Sequence, residues 1–176
     1  MSMAMESSSD ILRSEFVTGL VNLHAVEKQA LQLIERQLER VRSYPDVAMR
    51  LRQHLDETKV QEERLDSLLQ GMNESSSMLK DMAMQFTANM GAMAHAAASD
   101  EILKNSFANL AFENFEIASY KSAIAMAEMG GFNDATRVLQ QSLREEEDTA
   151  AWFKANIETI TRQYLELKAR GEKSDR

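Results

Sequence analysis

The sequence predicts an all-α protein, one bundle of four long helices, and three observations carry that expectation. With 44% hydrophobic residues against 27% charged, a chain of 176 residues can bury a real core within one domain. It contains one Pro and six Gly but twelve Met, and is otherwise rich in Ala, Leu, Glu, Gln and Arg, which lose little on entering a helix. Its apolar residues recur at three- and four-residue steps through long runs that few breakers interrupt.

Residues 1–9 are expected to be a disordered segment, residues 10–168 the bundle, and residues 169–176, "ARGEKSDR", a solvated charged tail. The first helix follows from Phe16, Leu20, Leu23, Leu31, Ile34, Leu38 and Val41. "SSSD" can cap its start and Pro45 marks its end, giving about thirty residues and roughly 45 to 50 Å. Pro45 and Asp46 suit the first turn of a second helix that carries Leu51, Leu55, Leu65, Leu68 and Leu69 and stops at Gly71. The short turn between them makes an antiparallel pair. Residues 72–98 read as a crossover with a short extra helix, marked by Ser caps and a stripe of Met78, Met82, Phe86 and Met90. Ser99 and Asp100 cap the third long helix, whose face is Leu103, Leu110, Ile117 and Ile124 and which ends at Gly130 and Gly131. Asn133 caps the fourth, striped by Leu139, Leu143, Ala150, Phe153, Ile157, Ile160 and Tyr164.

Composition narrows the function classes. Zero cysteines exclude disulfides, thiolate metal sites and thiol catalysis. The opening "MSMAMESSSD" does not look like a signal peptide, and no run approaches the ~20 apolar residues of a membrane span, so a cytoplasmic protein without a membrane partner is expected. A net charge of −8 opposes binding to nucleic acid.

The chemistry lies in charged residues at core positions. At about 100° per residue, Glu27 falls on the line through Phe16, Leu23, Ala30 and Ile34, and Glu146 on the centre of the face set by Leu139, Leu143, Ala150 and Phe153. Glu113 points inward between Leu110 and Ile117, with Glu116 at the margin of that face. The second helix offers Glu57 at its stripe margin, with His54 one turn before and Gln61 one turn after. Each long helix thus brings a carboxylate near its middle, and mid-helix positions in such a bundle meet at one level. Several carboxylates converging in a low-dielectric core cannot all ionise uncompensated, and a pair of divalent cations resolves the conflict. Oxygen-rich sites of this kind suit iron or manganese. Against this stands the reading of each Glu as a margin residue reaching for water, or of the set as a proton-sharing, water-filled polar core. His54 is read either as a boundary histidine bonded to its neighbours or as a ligand or ligand-supporting residue, because Glu57 is one turn away. Tyr120 is read as a packing tyrosine with its hydroxyl at the rim, or as a proton or electron donor to the site. His24 and His95 are read as surface or crossover residues without chemical roles, and Glu145, Glu147 and Asp148 as a solvated edge.

The stretches "GLVNLHAVEKQAL", "HLDETKVQEERLDSL", "AFENFEIASYKSAIAMAEMGG" and "LQQSLREEEDTAAW" together resemble the YciF/YciE-like ferritin-like proteins of bacteria, associated with stress responses, in order from about residue 12 to 165. The resemblance implies a ferritin-like four-helix bundle with a long crossover, usually dimeric, with a di-metal site at Glu27, Glu57, Gln61, Glu113, Glu116 and Glu146. Two departures stand out. Asn114 occupies the place where the family often has His between the two glutamates, and Val60 and Thr149 stand where a Glu-x-x-His motif would put its histidines. An oxygen-dominated site with at most His54 as nitrogen donor makes manganese a fair competitor of iron.

Two functions follow from different classes. One is a dinuclear iron or manganese oxidoreductase, or a metal- or peroxide-handling protein, with dioxygen or peroxide as its partner. The other is a non-catalytic homodimeric binding or structural protein with a degenerate metal site. An iron-storage cage needs assembly surfaces that no motif here identifies.

Overall fold

The computed structural model describes residues 7–72 and 102–174. The described residues form four helices and no strand: α1 (Ser8–Arg40), α2 (Pro45–Gly71), α3 (Ile102–Gly130) and α4 (Asn133–Ala169). The crossover helix, His95 and the Ser99–Asp100 cap expected from sequence lie outside the described residues.

Local chemistry sets the boundaries. Ser7 caps α1: its hydroxyl accepts from the Asp10 N–H at 3.2 Å, while the Asp10 carboxylate accepts from the Ser7 N–H at 3.3 Å. Ser8 and Ser9 are therefore helical and not part of a disordered segment. Pro45 opens α2, where its missing N–H costs nothing. Gly131 (φ +75°) and Gly171 (φ +70°) end α3 and α4. At each, the next residue's N–H reaches back to close the last turn, Phe132 to the Ala127 carbonyl at 2.8 Å and Glu172 to the Leu167 carbonyl at 2.9 Å.

Asn133, expected as a cap, is instead the first residue of α4, and the capping position falls on Phe132. The Phe132 ring stacks on Phe16 with centroids 4.8 Å apart, so packing and not a side-chain cap fixes where α4 begins. The charged tail has exposed side chains through Lys173, but its backbone is anchored. Tyr44 donates its hydroxyl to the Ser174 carbonyl at 2.6 Å, and Ser43 donates to the Lys173 carbonyl at 3.1 Å.

Two apolar clusters close the bundle at either end. One joins Phe16, Leu20 and Leu23 of α1 to Leu65 and Leu69 of α2, Tyr120 to Ala127 of α3 and Leu139 of α4. The other joins Ile34, Val47, Leu51, Ile102, Phe153, Ile160 and Leu167. Early α1 thus meets late α2, late α3 and early α4, which makes α1 antiparallel to α2 and α3, and α3 antiparallel to α4. α2 ends at the opposite end of the bundle from where α3 begins.

The α3 orientation departs from the sequence reading. Its buried residues are Ile102, Ser106, Asn109, Glu113, Glu116, Tyr120, Ala123, Ile124 and Ala127, while Leu103, Leu110 and Ile117 sit half-buried on the flanks. α3 is apolar nearly all round, so periodicity could not say which side faces in; the polar stripe does. Glu116 consequently lies at the centre of the inward face, not its margin.

Candidate metal centre

Between the two apolar clusters the core turns polar. Glu27 from α1, His54 from α2, Glu113 and Glu116 from α3 and Glu146 from α4 are each at most 3% exposed. Glu113 and Glu116 share a face because residues three apart are neighbours on a helix. His54 Nε2 lies 3.2 Å from Glu113 Oε1 and 3.9 Å from Glu146 Oε2. One ligand atom from each of His54, Glu113, Glu116 and Glu146 falls within 4.8 Å of the others. Glu27 joins through α1, its Oε1 accepting from the Tyr120 hydroxyl at 2.5 Å.

What this group lacks is as telling as what it has. Among the described residues, Glu27 Oε2, Glu113 Oε2, both oxygens of Glu116, both oxygens of Glu146 and Gln61 Oε1 are buried without a hydrogen-bond partner. Buried acceptors of this kind normally find donors, and each one left alone costs on the order of 1–3 kcal/mol. Six buried carboxylate oxygens, those of Glu113, Glu116 and Glu146 converging on the His54 imidazole and that of Glu27 contributed from α1, are a donor set for hard cations. A buried His/Glu group here can hold a metal ion.

Electrostatics describes the same site with no cation in it. Burial, reinforced by the neighbouring carboxylates, pushes Glu116 and Glu146 well above the usual carboxylate range. Burial also lifts Glu27 to about 8, against the pull of the Tyr120 hydrogen bond. Burial alone would depress His54, but the charge and hydrogen bond of Glu113 outweigh it and raise the imidazole to about 10. Without a cation the site thus pairs a His54 imidazolium with Glu27, Glu116 and Glu146 carboxyls that hold on to protons.

His54 is held from its other nitrogen. Nδ1 lies 3.3 Å from Thr149 Oγ1 and 3.8 Å from Glu57 Oε2. Arg50, 5% exposed, donates to Glu57 at 3.1 Å and to the Thr149 hydroxyl. Glu57, partly exposed, also accepts from Gln53 at 2.8 Å. Although burial opposes it, the hydrogen bonds from His54 and Gln53 and the Arg50 charge lower the Glu57 carboxyl below its ordinary value. Glu57 therefore stands on the far side of His54 from the carboxylate group and already has cationic partners. Gln61 is wholly buried, donating to Glu145 at 3.0 Å with its own oxygen unpartnered.

Several sequence readings change. His54 is not a boundary residue but a central one. Tyr120 is fully buried with its hydroxyl on Glu27, not at the rim, because it continues the Glu113–Glu116 stripe by one turn. Glu145 is no solvated edge: Arg64 grips it through Nη1 and Nη2, at 2.7 and 3.0 Å, whereas Glu147 and Asp148 are exposed. His24 is half-buried beside Glu62 and Asp66. Asn114 is exposed and donates to the Leu110 carbonyl at 2.6 Å, so the position between the two glutamates faces away from the cage. Arg50 was not foreseen, although its place one turn before His54 and two before Glu57 was the available signal.

The family described as "Domain of unknown function (DUF892)" matches residues 12–166. Protein YciF of Escherichia coli K12 is 30% identical over 158 residues, covering 84% of this chain and 88% of that protein. Among solved structures, a protein of Xanthomonas campestris pv. campestris superposes with a TM-score of 0.75 at 26% identity, over 90% of this chain and 99% of that one. The E. coli stress protein YciF superposes with a TM-score of 0.64 at 21% identity, over 83% of this chain and 94% of that one.

Proposed function

The chain belongs to the DUF892 family of YciF-like proteins, and from that premise we propose that it is a ferritin-like protein whose buried cage binds a pair of iron or manganese ions. The observation that carries this reading is the set of unpartnered carboxylate oxygens contributed by three helices at one level. Glu27, Glu113, Glu116 and Glu146 would hold the ions, with His54 as nitrogen donor and Gln61 Oε1 as a neutral oxygen. Glu57, bound to Arg50 and adjoining His54 Nδ1, serves to fix the ring so that Nε2 faces Glu113 and Glu146. Such a pair supplies Lewis-acid and redox chemistry toward dioxygen or peroxide when bound.

The chain's own groups manage protons around that chemistry. Glu27, Glu116 and Glu146 hold protons in the empty cage and release them as cations enter. Tyr120 keeps a proton at Glu27 Oε1 in a water-poor position one turn from Glu116. Kinship with YciF of E. coli, whose solved structure is described as that of a stress protein, extends the proposal to a stress role. A cytoplasmic homodimer is part of the same proposal and does not rest on that name.

A second reading is a homodimeric binding or structural protein without turnover. It is favoured by the single imidazole, His54, that the described residues bring to the cage. Elemental analysis of protein made in medium containing both iron and manganese tests the metal reading. The native chain should carry about two ions, and Glu27→Ala and Glu146→Ala should lose both, because neighbouring cations share ligands. Equal metal content in all three would contradict it. Iron-dependent consumption of peroxide by the loaded protein separates an enzyme from a scaffold.

A further inference from the structure

A second group of metal-ligating side chains lies outside the cage, where α1 meets α2. His24 of α1 faces Glu62 and Asp66 of α2, two acids one helical turn apart on the same face. His24 Nε2 is 2.9 Å from Asp66 Oδ1 and 3.4 Å from Glu62 Oε1. Both oxygens are within reach of a ring N–H, and with these acids beside it the buried nitrogen finds no well-aligned hydrogen-bond acceptor among the described residues.

Ligand atoms at such separations are also the arrangement of neighbours around one cation. With metal–nitrogen and metal–oxygen bonds of ~2.0–2.2 Å, ligand atoms ~90–110° apart at the ion sit roughly 2.9–3.5 Å from each other. We propose that His24, Glu62 and Asp66 form a second divalent-cation site, suited to a zinc-class ion with water in its remaining positions. One imidazole and two carboxylates, with open coordination left over, is a donor set that zinc accepts. Burial and the nearby Lys28 charge lower the His24 pKa, which leaves its lone pair free near neutral pH. Unlike the cage, this site meets solvent: the Asp66 side chain is 52% exposed, against 13% for His24. Lys28 Nζ, 3.5 Å from Glu62 Oε1 on a half-exposed chain, supplies the compensating charge in the empty site and can swing away.

The test uses full-length protein stripped with chelator and titrated with Zn²⁺ against a chromophoric competitor. Native protein should lose one zinc per chain on His24→Gln and again on Asp66→Asn, or bind it at least about tenfold more weakly. Glu146→Ala should still take that ion, so failure of the cage reading would leave this difference untouched. Co²⁺ should give a visible absorption band that His24→Gln abolishes, and thermal melting of each variant should match the native chain. If neither His24→Gln nor Asp66→Asn changes zinc stoichiometry or affinity, the group is a surface ion pair only and the proposal is overturned.

Discussion

Glu116 is wholly buried and neither of its oxygens has a hydrogen-bond partner among the described residues, which only a proton or a cation can make tolerable. Replacing such a carboxyl, which must take up a proton to be buried without a cation, should help the metal-free protein and harm the loaded one. Glu116→Gln is expected to raise the urea stability of metal-free protein at pH 8 by on the order of 1–3 kcal/mol while weakening metal binding. A loss of stability in the stripped protein would show that the carboxylate already has a favourable partner. Tyr120→Phe should act in the opposite direction. It takes from Glu27 its hydrogen-bond donor, at a cost of about 1–2 kcal/mol, and moves the Glu27 titration upward from about 8. Carbon-detected NMR of the Glu27 carboxyl across that pH range reads the shift.

At the scale of the helices, backbone conformation makes a prediction of opposite signs for two glycines. Gly131 ends α3 at φ +75°, where any other residue is strained, so Gly131→Ala should cost roughly 1 kcal/mol. Gly71 is helical and no atom of the described residues lies within 4 Å of where a Cβ would stand, so Gly71→Ala should gain about 0.5–1 kcal/mol, both read by denaturant unfolding. The helices themselves were legible in the sequence because α1, α2 and α4 pair an apolar stripe with a charged face. Glu27 and Glu146 could be found because they interrupt such stripes. α3 offered no contrast between its sides, so Glu116 and Tyr120 were set too far out. His54 and Glu57 exchanged emphasis for a different reason: spacing places both near the core, but only the structure shows Arg50 drawing Glu57 away and Thr149 turning the imidazole inward.

Across the whole molecule, the site makes stability depend on pH in a direction that can be worked out. Glu27, Glu116, Glu146 and His54 all hold protons more tightly folded than unfolded, so their contribution is full at low pH and is lost as pH rises. For Glu27 that window runs from 4.5 to about 8, and for His54 from 6.5 to about 10. Glu57, with its lowered pKa, works the other way only in the acid range. Stripped protein should therefore melt at falling temperature from pH 5 to pH 9, by up to ~1.4 kcal/mol per pH unit for each proton lost. Metal-loaded protein should not, since cations bind the deprotonated groups, and the two melting curves should diverge as pH rises. The two apolar clusters hold the ends of the bundle whatever the state of the cage between them, so the fold was the easier part to read. The cage decides function, and the most direct measurement on it is an anomalous difference map from crystals soaked in ferrous or manganous salt. Two peaks bounded by Glu27, His54, Glu113, Glu116 and Glu146 are expected. A map with no anomalous density among those side chains, and with their carboxyls sharing protons or ordered water instead, would contradict the cation-bound core.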